Sequence, residues 1–482
     1  MLARTGASAV KRLSRVRAMT AAALISLAAA AYAMFNRSLL GDGDTSWHIA
    51  TGRWILANRA VPDHDPFSFS MPGAEWHAHE WLAEIPMTLA YDAGGWPAVL
   101  VLFSAVFGVT LFLIGRELSR HLPLRWMVAV LAGLFTVMLT TILARPHVLA
   151  WPLMAGWLIL LLHARERRRA PPLAAALLMV VWTNLHASYI VGLGLVGVFA
   201  LEALVEDRDP RRSIPQWAVF GLTALAAACV TPHGIQGFLY PFQVSGMQVL
   251  TVIQEWRPTK LGTDNIFLSY MVAVSGLALL SWRHVGPVRL VLLAGLGWMA
   301  IEHVRHQTVF ALVTVLAVVP RAAIYFTKRV EPEPGQRLPW REAAWFGAAF
   351  AVLAGIRLMV PVIPDKGPSY MGKAFEAVPP ALRSKPVLNS YSFGGPLILR
   401  GVPVFIDGRA DMYGDAFTLN FDRISDGDIK AFRKAVERYD LRWTILGPED
   451  KLVGKLDREP GWKRLYKDKF ATVHVRVSGA PK

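Results

Sequence analysis

Long apolar segments recur along most of the chain, separated by short stretches that are rich in charge. Mostly hydrophobic runs lie at 18–35, 97–115, 126–143, 147–163, 171–184, 188–205, 215–231, 264–282, 287–302, 308–326 and 342–363. Several of them approach the ~20 residues that an α-helix needs to cross ~30 Å of hydrocarbon. The short run at 171–184 indicates a tilted or broken helix. The pattern predicts a mainly α, polytopic membrane protein with about 11 transmembrane helices.

The last part of the chain has a different pattern. Charged residues are frequent there, and strand-like runs occur at 386–388, 402–406, 443–446 and 472–477. A helix is predicted at 426–439, with Asp426 or Asp428 near its start as a cap. Alternating strands and helices are typical of a small α/β or α+β fold. We therefore expect a soluble domain at 364–482.

Lysine and arginine are distributed unevenly between the loops. With a cytoplasmic N-terminus, the segments on that side carry 22 of these residues and the opposite loops carry 7, as the positive-inside rule requires. The basic N-terminal tail and the first apolar run are interpreted as an uncleaved signal anchor rather than a cleaved signal peptide. The transmembrane domain at 1–363 then exposes its long first loop, 36–96, to the periplasm of a bacterium. The domain at 364–482 lies on the same side of the inner membrane.

The amino-acid composition also favours a membrane protein. The 482 residues are 54% hydrophobic and 18% charged, against about 25% charged in soluble domains. A net charge of +16 is in itself compatible with nucleic-acid binding, but much of the charge lies in short clusters between apolar runs, as membrane topology requires. We therefore predict no nucleic-acid partner. The single cysteine, Cys229, lies in an apolar run, which excludes a disulfide framework and a cysteine-based metal site.

The first outer loop opens on the run Gly41-Asp42-Gly43-Asp44. A carboxylate here can accept a proton from a hydroxyl or amine nucleophile and act as a general base. Burial beside lipid would raise its pKa into a useful range. Aspartate next to glycine is also common in turns. The sequence leaves both roles open for Asp42 and Asp44.

Histidines are also dense in this loop. His48, His64, His77 and His79 are possible metal ligands. Their spacing matches no standard zinc motif. We favour hydrogen bonding at the membrane interface as their role, and no metal site is predicted.

Ionisable and polar residues recur in the other outer loops, each time at the end of an apolar run. They include Arg145, His147, Asn184, His186, His233, Glu255, Trp256, Arg305 and His306. A single charge at a helix end can simply extend to the interface. Five such clusters on one face indicate a shared site, and arginine offers a fork of donors that suits phosphate. A phosphate bound at membrane depth indicates a lipid phosphate.

The C-terminal domain contains one further candidate group. Asp407, Arg409 and Asp411 stand at alternating positions after the apolar run 402–406. Ligands often bind where strands end, but an ion-pair cluster that holds a loop has the same pattern. Both interpretations stay open.

The order of these features resembles a known superfamily. A basic tail, one span, a long outer loop with an aspartate motif, many spans and a C-terminal outer domain look like the GT-C membrane glycosyltransferases. More narrowly, three motifs resemble the bacterial branch labelled dolichyl-phosphate-mannose–protein mannosyltransferase-like or glycosyltransferase 39-like. They are Gly41-Asp42-Gly43-Asp44-x-x-Trp47-His48, Asp65-Pro66-Phe67-Ser68 and His79-Glu80-Trp81-Leu82.

The resemblance implies a reaction and its partners. A sugar is transferred with inversion from a polyprenyl-phosphate donor, at the membrane lipid, to a periplasmic glycan, lipid or protein. Asp44 is our first choice for the general base and Asp42 the second. No cofactor is required, although a divalent cation is compatible with the chemistry. The donor phosphate is expected to contact Arg145, His147, Arg305 and His306, and the sugar or acceptor cleft to contain His48, Glu80, Trp81, Asn184, His186, Glu255 and Trp256.

Two other functions fit parts of the sequence. A transporter or flippase also spans the membrane many times, but it usually carries ionisable groups near mid-membrane and often has two related halves. A non-enzymatic envelope assembly protein would use the C-terminal domain to bind a partner. Convergence of Asp44, Arg145 and Arg305 on one site would favour the enzyme over both.

Overall fold

The computed structural model describes residues 2–207, 209–328, 338–362, 364 and 371–477, with side chains from Arg17 onward. The chain is mainly helical. Up to residue 359 the helices are α1 Leu2–Phe35, α2 Asp44–Asn58, α3 Trp81–Leu118, α4 Leu124–Leu139, α5 Pro146–Glu166, α6 Leu177–Leu185, α7 Tyr189–Glu206, α8 Pro210–Ala228, α9 Gly234–Ser245, α10 Asn265–Leu280, α11 Trp282–Val285, α12 Pro287–Glu302, α13 Gln307–Ala317, α14 Val319–Thr327 and α15 Trp340–Met359.

The predicted apolar runs all fall on helices, but fewer of these helices are full-length spans than expected. Five are long and apolar enough to cross a membrane: Arg17–Phe35 of α1, α3, α5, α7 and α15. The segments Val304–Ala317 and Val319–Thr327, bent by 43°, make a sixth if they are one span. Helices α4 and α10, and the segment Leu173–Leu185, are apolar but shorter. The several apolar helices agree with a multi-pass protein, whereas the number 11 stays a prediction.

Helix α3 joins the first outer loop to the membrane. Its backbone is non-helical at Gly94 and Gly95, and such a break lets two helical segments take different directions. Farther along, Gly108 and Gly115 lie against α1, where a Cβ would come within 3.0 Å of Ala30 and 2.9 Å of Ala22 respectively. Small residues allow this close backbone approach between helices. Helix α3 therefore carries loop residues at one end and packs in the membrane core at the other.

The C-terminal part forms a mixed four-stranded sheet with helices around it. Its strands have the order β1-β2-β4-β3, with β1 and β2 parallel and the other pairs antiparallel. The helix predicted at 426–439 is present as α20, and Asp428 caps it by accepting a hydrogen bond from Ala431 N. The elements here are α16 Gly372–Glu376, α17 Pro380–Arg383, β1 Val387–Asn389, α18 Gly394–Leu399, α19 Ala410–Ser425, α20 Ile429–Tyr439, β2 Trp443–Leu446, α21 Leu452–Leu456, β3 Trp462–Lys467 and β4 Thr472–Arg476.

Two details of the strand prediction were wrong. The run 402–406 does not join the sheet, because Val404 instead forms a single parallel bridge with Ser68 of the first outer loop. Strand β3 was not predicted; its side chains are largely exposed, so it lacks a buried apolar pattern. It lies at the edge of the sheet, where only one face and one neighbour constrain the sequence.

The first outer loop and the C-terminal part share one hydrophobic core. Trp47 and Trp76 of the loop belong to the same buried cluster as Leu388, Ile406 and Trp443. A second and larger buried cluster fills the helical part. The predicted boundary at 363/364 lies beside residues outside the described ranges and stays a prediction. The C-terminal unit, residues 371–477, packs directly on the loop that contains Asp44.

Candidate functional site

The start of α2 determines where Asp44 lies. Asp42 Oδ1 accepts a hydrogen bond from Asp44 N at 2.9 Å, so Asp42 organises the turn that begins the helix. The next residue, Thr45, donates from Oγ1 to Ala144 O at 2.9 Å. This bond fixes the turn beside the segment that precedes α5, and Arg145 follows at once. Asp42 is therefore a turn residue and also a member of the cluster described next.

Arg145 holds three carboxylates together. Its Nη1 lies 3.3 Å from Asp42 Oδ2 and 3.0 Å from Glu255 Oε2, and its Nη2 lies 3.0 Å from Asp44 Oδ2. Glu255 comes from a 3₁₀ turn, Gln254–Trp256, more than 100 residues later in the chain. The guanidinium fork is suited to such multiple contacts. One cation thus brings together three separate parts of the sequence.

The cluster is partly buried, and two of its carboxylates, Asp44 and Glu255, have pKa values shifted in opposite directions. Burial raises the pKa of Asp44 to about 7, with repulsion from Asp42 adding to the effect and Arg145 opposing it. Burial would also raise the pKa of Glu255, but the charges of Arg145 and Arg305 hold it at about 2. Glu255 is thus ionised at neutral pH, whereas Asp44 is close to half ionised. A carboxylate with a pKa near the working pH is well suited to general base catalysis.

A layer of histidine and glutamate lies next to this cluster. His48 is fully buried, and its Nδ1 is hydrogen bonded to Glu84 Oε1 at 3.1 Å. Its other ring nitrogen, Nε2, lies 3.7 Å from Glu80 Oε2, and His186 Nε2 lies 3.6 Å from Glu80 Oε1. Burial lowers the pKa of both His48 and His186 and raises that of Glu80. The layer is therefore made of neutral imidazoles around a carboxyl group that is hard to ionise.

A hydrogen bond between Trp81 and Asn184 connects this layer to the third outer loop. Trp81 Nε1 donates a hydrogen bond to Asn184 Oδ1 at 2.7 Å. The ring of His147, the second residue of α5, lies 6.0 Å from the ring of His186. The structure thus brings predicted cleft residues of the first and third outer loops together with His147, a predicted phosphate ligand of the second.

Arg305 has a different environment from Arg145. Its guanidinium lies over the Trp256 ring, 4.4 Å from the centroid, and His303 and His306 flank the same ring at 5.0 and 6.5 Å. Within the described ranges no carboxylate lies at ion-pair distance from Arg305. Its charge lowers the pKa of Glu255, so it lies close to the Arg145 cluster. Arg305 therefore has donors left for an anionic ligand.

The C-terminal candidates separate into two environments. Arg409 is fully buried and binds Asp407 (Nη2–Oδ2 2.6 Å) and Asp65 of the first outer loop (Nη1–Oδ1 2.8 Å). Asp407 also accepts a hydrogen bond from Tyr413 OH at 2.8 Å. Asp411 accepts one from Tyr240 OH of α9. Asp407 and Arg409 thus form an ion-pair cluster that joins the C-terminal unit to the first loop.

One group within the described residues has metal-ligand geometry. Ligand atoms of Glu117, His121 and Glu166 lie within 4.8 Å of one another, at the opposite ends of α3 and α5 from Arg145. Arg120 lies among them, 2.5 Å from Glu117 Oε1 and 2.7 Å from Glu166 Oε2. A guanidinium thus already neutralises these carboxylates, as Arg145 does at the outer cluster.

Comparison with known proteins identifies the fold. No family model and no curated protein matches the chain. Among solved structures, the apo oligosaccharyltransferase of Archaeoglobus fulgidus matches with a TM-score of 0.56 and 11% identity, over 96% of this chain and 74% of that one. ArnT of Cupriavidus metallidurans bound to undecaprenyl phosphate matches with a TM-score of 0.50 and 15% identity, over 95% of this chain and 99% of that one. The chain has the GT-C fold. The predicted resemblance is confirmed at the level of the fold, and the narrower glycosyltransferase 39-like branch stays a prediction.

Sequence reasoning missed several residues of this candidate site. Glu84 lies one helical turn after Glu80, so the i,i+4 spacing was an available signal. Gly408 and Tyr391 of the C-terminal unit lie against the Asp44 cluster: an added Cβ on Gly408 would come 2.0 Å from Asp44 Oδ1, and Tyr391 OH donates to Gly408 O. No local pattern marks either of them, because their role depends on contact with a loop more than 340 residues earlier.

Proposed function

We propose that this chain is an integral membrane glycosyltransferase that transfers a sugar from a polyprenyl-phosphate donor to an acceptor on the outer side of the membrane. The GT-C fold supports a membrane glycosyltransferase. One of the matched structures, ArnT, is bound to undecaprenyl phosphate, which supports a donor of that chemical class here. The acceptor is a glycan, lipid or protein with a nucleophilic hydroxyl or amine.

The contact of Asp44 with Arg145 is the observation that carries the proposal. A general base for this reaction must be present in its basic form at neutral pH, at least in part, and be fixed in position. The raised pKa of Asp44, about 7, and its ion pair at 3.0 Å meet both requirements. Neither a transporter nor an assembly protein requires three carboxylates, from two loops distant in sequence, around one arginine.

In the proposed step, Asp44 accepts the proton of the acceptor hydroxyl or amine. The acceptor atom forms a bond to the anomeric carbon, and the bond from that carbon to the phosphate oxygen breaks. The electron pair leaves with the polyprenyl phosphate, and attack from the opposite face inverts the anomeric configuration. Arg305, with His306 beside it, binds the donor phosphate and stabilises the charge that develops there. Arg145 is assigned to the carboxylates, because these contacts already occupy its fork.

Substitution of Asp44 tests the proposal. We expect Asp44→Asn to lower transfer by at least about 100-fold in membranes supplied with polyprenyl-phosphate sugars, measured as labelled sugar lost from the lipid. Asp63→Asn is the matched control, because Asp63 lies in the same loop, is 76% exposed and forms its ion pair with the exposed His64. Full transfer by Asp44→Asn would overturn the assignment of the base.

A further inference from the structure

The C-terminal unit lies directly against the Asp44 carboxylate. At Gly408 an added Cβ would lie 2.0 Å from Asp44 Oδ1 and 2.6 Å from its Cγ. Since real Cβ atoms do not approach this closely, only glycine fits at this position without a shift of the carboxylate. The backbone of Gly408 therefore forms the surface that Asp44 Oδ1 faces, while Asp44 Oδ2 faces Arg145.

Other glycines close the same interface. A Cβ at Gly43 would lie 2.1 Å from Ser392 O, and one at Gly395 would lie 2.2 Å from Gly43 O. Gly394 is packed within the C-terminal unit itself, where a Cβ would lie 2.3 Å from Ile406 O. The turn before α2 and the start of α18 thus pack backbone to backbone. Gly43 is buried by this packing.

The segment that carries Gly408 is held from several directions. Tyr391 OH donates to Gly408 O at 3.1 Å, and Asn389 Nδ2 donates to Ile406 O at 2.7 Å. Ser70 of the first outer loop donates from Oγ to Phe405 O at 2.6 Å. The Arg409 ion pairs follow immediately. A segment with this many restraints can fix the position of a group that it touches.

We propose that Gly408 and Tyr391 are positioning residues for the Asp44 base: the C-terminal unit forms a wall that keeps water from Oδ1 and fixes the carboxylate on Arg145. This inference rests on the proposed function, because it assigns the wall to a catalytic base. The charged and titratable groups that face Asp44 are Asp42, Arg145, Glu255 and Tyr391. Of these, only Tyr391 belongs to the wall, and burial raises the pKa of its phenol, so it stays neutral.

The wall has a clear consequence for each substitution. In Gly408→Ala the methyl group would lie 2.0 Å from Oδ1 of Asp44 and clash with it. The carboxylate therefore has to turn away from its position on Arg145. A displacement of about 1 Å at a reacting group can lower a rate by about 100-fold. In Tyr391→Phe the carbonyl of Gly408 loses its donor and the wall loosens, which admits water to Asp44. Hydration favours the charged form, so the pKa of Asp44 falls.

The experiment uses the full-length protein in lipid nanodiscs, with kcat, donor KM and the pH profile as readouts. We expect Gly408→Ala to lower kcat by about 10- to 100-fold with little change in donor KM. Tyr391→Phe is expected to move the acid limb of the profile down by about 0.5–1 pH unit. Gly454→Ala is the matched control, because Gly454 lies in α21 of the same unit with open space around it. Wild-type kcat and an unshifted acid limb in both test variants would overturn the proposal.

A second readout separates this inference from the proposed function. Infrared difference spectroscopy follows the carboxyl band that titrates in the wild type and is missing in Asp44→Asn. A shift of that band in Tyr391→Phe supports the wall, even if Asp44→Asn retains transfer and the assignment of the base fails. An unshifted band in Tyr391→Phe refutes the wall, whatever the transfer assay shows. The conservative Tyr391→Phe change also keeps the test valid should Gly408→Ala not fold.

Discussion

Replacing Arg145 by methionine tests how the cluster sets the base. Arg145 was a predicted phosphate ligand, yet it contacts Asp42, Asp44 and Glu255. Methionine keeps much of the side-chain volume and removes the charge. If Arg145 organises the carboxylates, the loss of its charge makes Asp44 harder to ionise. If it binds only the donor phosphate, the ionisation of Asp44 stays as it was.

The size of the effect follows from the geometry. With Nη2 and Oδ2 3.0 Å apart, the charge centres lie roughly 4 Å apart, where unit charges attract by about 4 kcal/mol at an effective dielectric constant of about 20. This energy equals about 3 pKa units. Since Glu255 loses the same partner and its titration is coupled to that of Asp44, we expect a smaller change, of about 2 units, for Asp44. Its pKa rises from about 7 to about 9.

The assay is the pH dependence of kcat/KM for transfer from a polyprenyl-phosphate sugar. Activity needs the carboxylate, so the wild-type rate falls as the pH drops through about 7, the pKa of Asp44. In Arg145→Met this acid limb moves up to about pH 9, and the rate at pH 7 drops by about 50- to 100-fold. Arg145→Lys keeps the charge and is expected to keep the limb within about 1 unit of the wild type. An unshifted limb together with a raised donor KM in Arg145→Met would refute this reasoning.

Two further predictions concern other arginines. Arg305→Ala should raise the donor KM about 10-fold or more and leave the acid limb in place, with partial recovery in Arg305→Lys; an unchanged KM would contradict its assignment to phosphate. Arg409→Met leaves Asp407 and Asp65 buried and unpaired, which should cost about 3–5 kcal/mol of stability and lower the unfolding midpoint followed by tryptophan fluorescence. Arg442→Met is its control, since Arg442 pairs with Asp440 at the surface and should change stability by at most about 1 kcal/mol; equal midpoints for the two variants would contradict the role of Arg409.

The membrane helices and several site residues could be predicted from the sequence because local patterns encode them. An apolar run predicts a helix in lipid whatever its neighbours are. Because the polar ends of those runs were predicted to lie on one face, Asp44, Arg145 and Glu255 were assigned to one site. In the structure Asp44 and Glu255 both contact Arg145. The number of full spans was harder to predict. The backbone bend of 43° between α13 and α14 leaves no clear mark in hydropathy.

The roles of the arginines could not be read from the sequence. Arg145 and Arg305 both follow apolar runs, and the sequence gives no reason to treat them differently. Only the structure separates a guanidinium with three carboxylates from one that lies over Trp256. The role of Asp407 and Arg409 could not be predicted from the sequence either, because a ligand site and an ion-pair cluster have the same local pattern. The contact of Arg409 with Asp65, 344 residues earlier, identifies an ion-pair cluster.

The ion pair between Asp65 and Arg409 also has a consequence for the synthesis of the protein. The ribosome completes the aspartate loop first, and the partner that covers it emerges only after every membrane helix has been made. Until then Trp47 and Trp76 lack the apolar neighbours with which they share a core. A chain that ends before Tyr391 therefore carries Asp44 and Arg145 but lacks the segment that packs against the aspartate. On the proposed function, a truncated product is inserted in the membrane without being active.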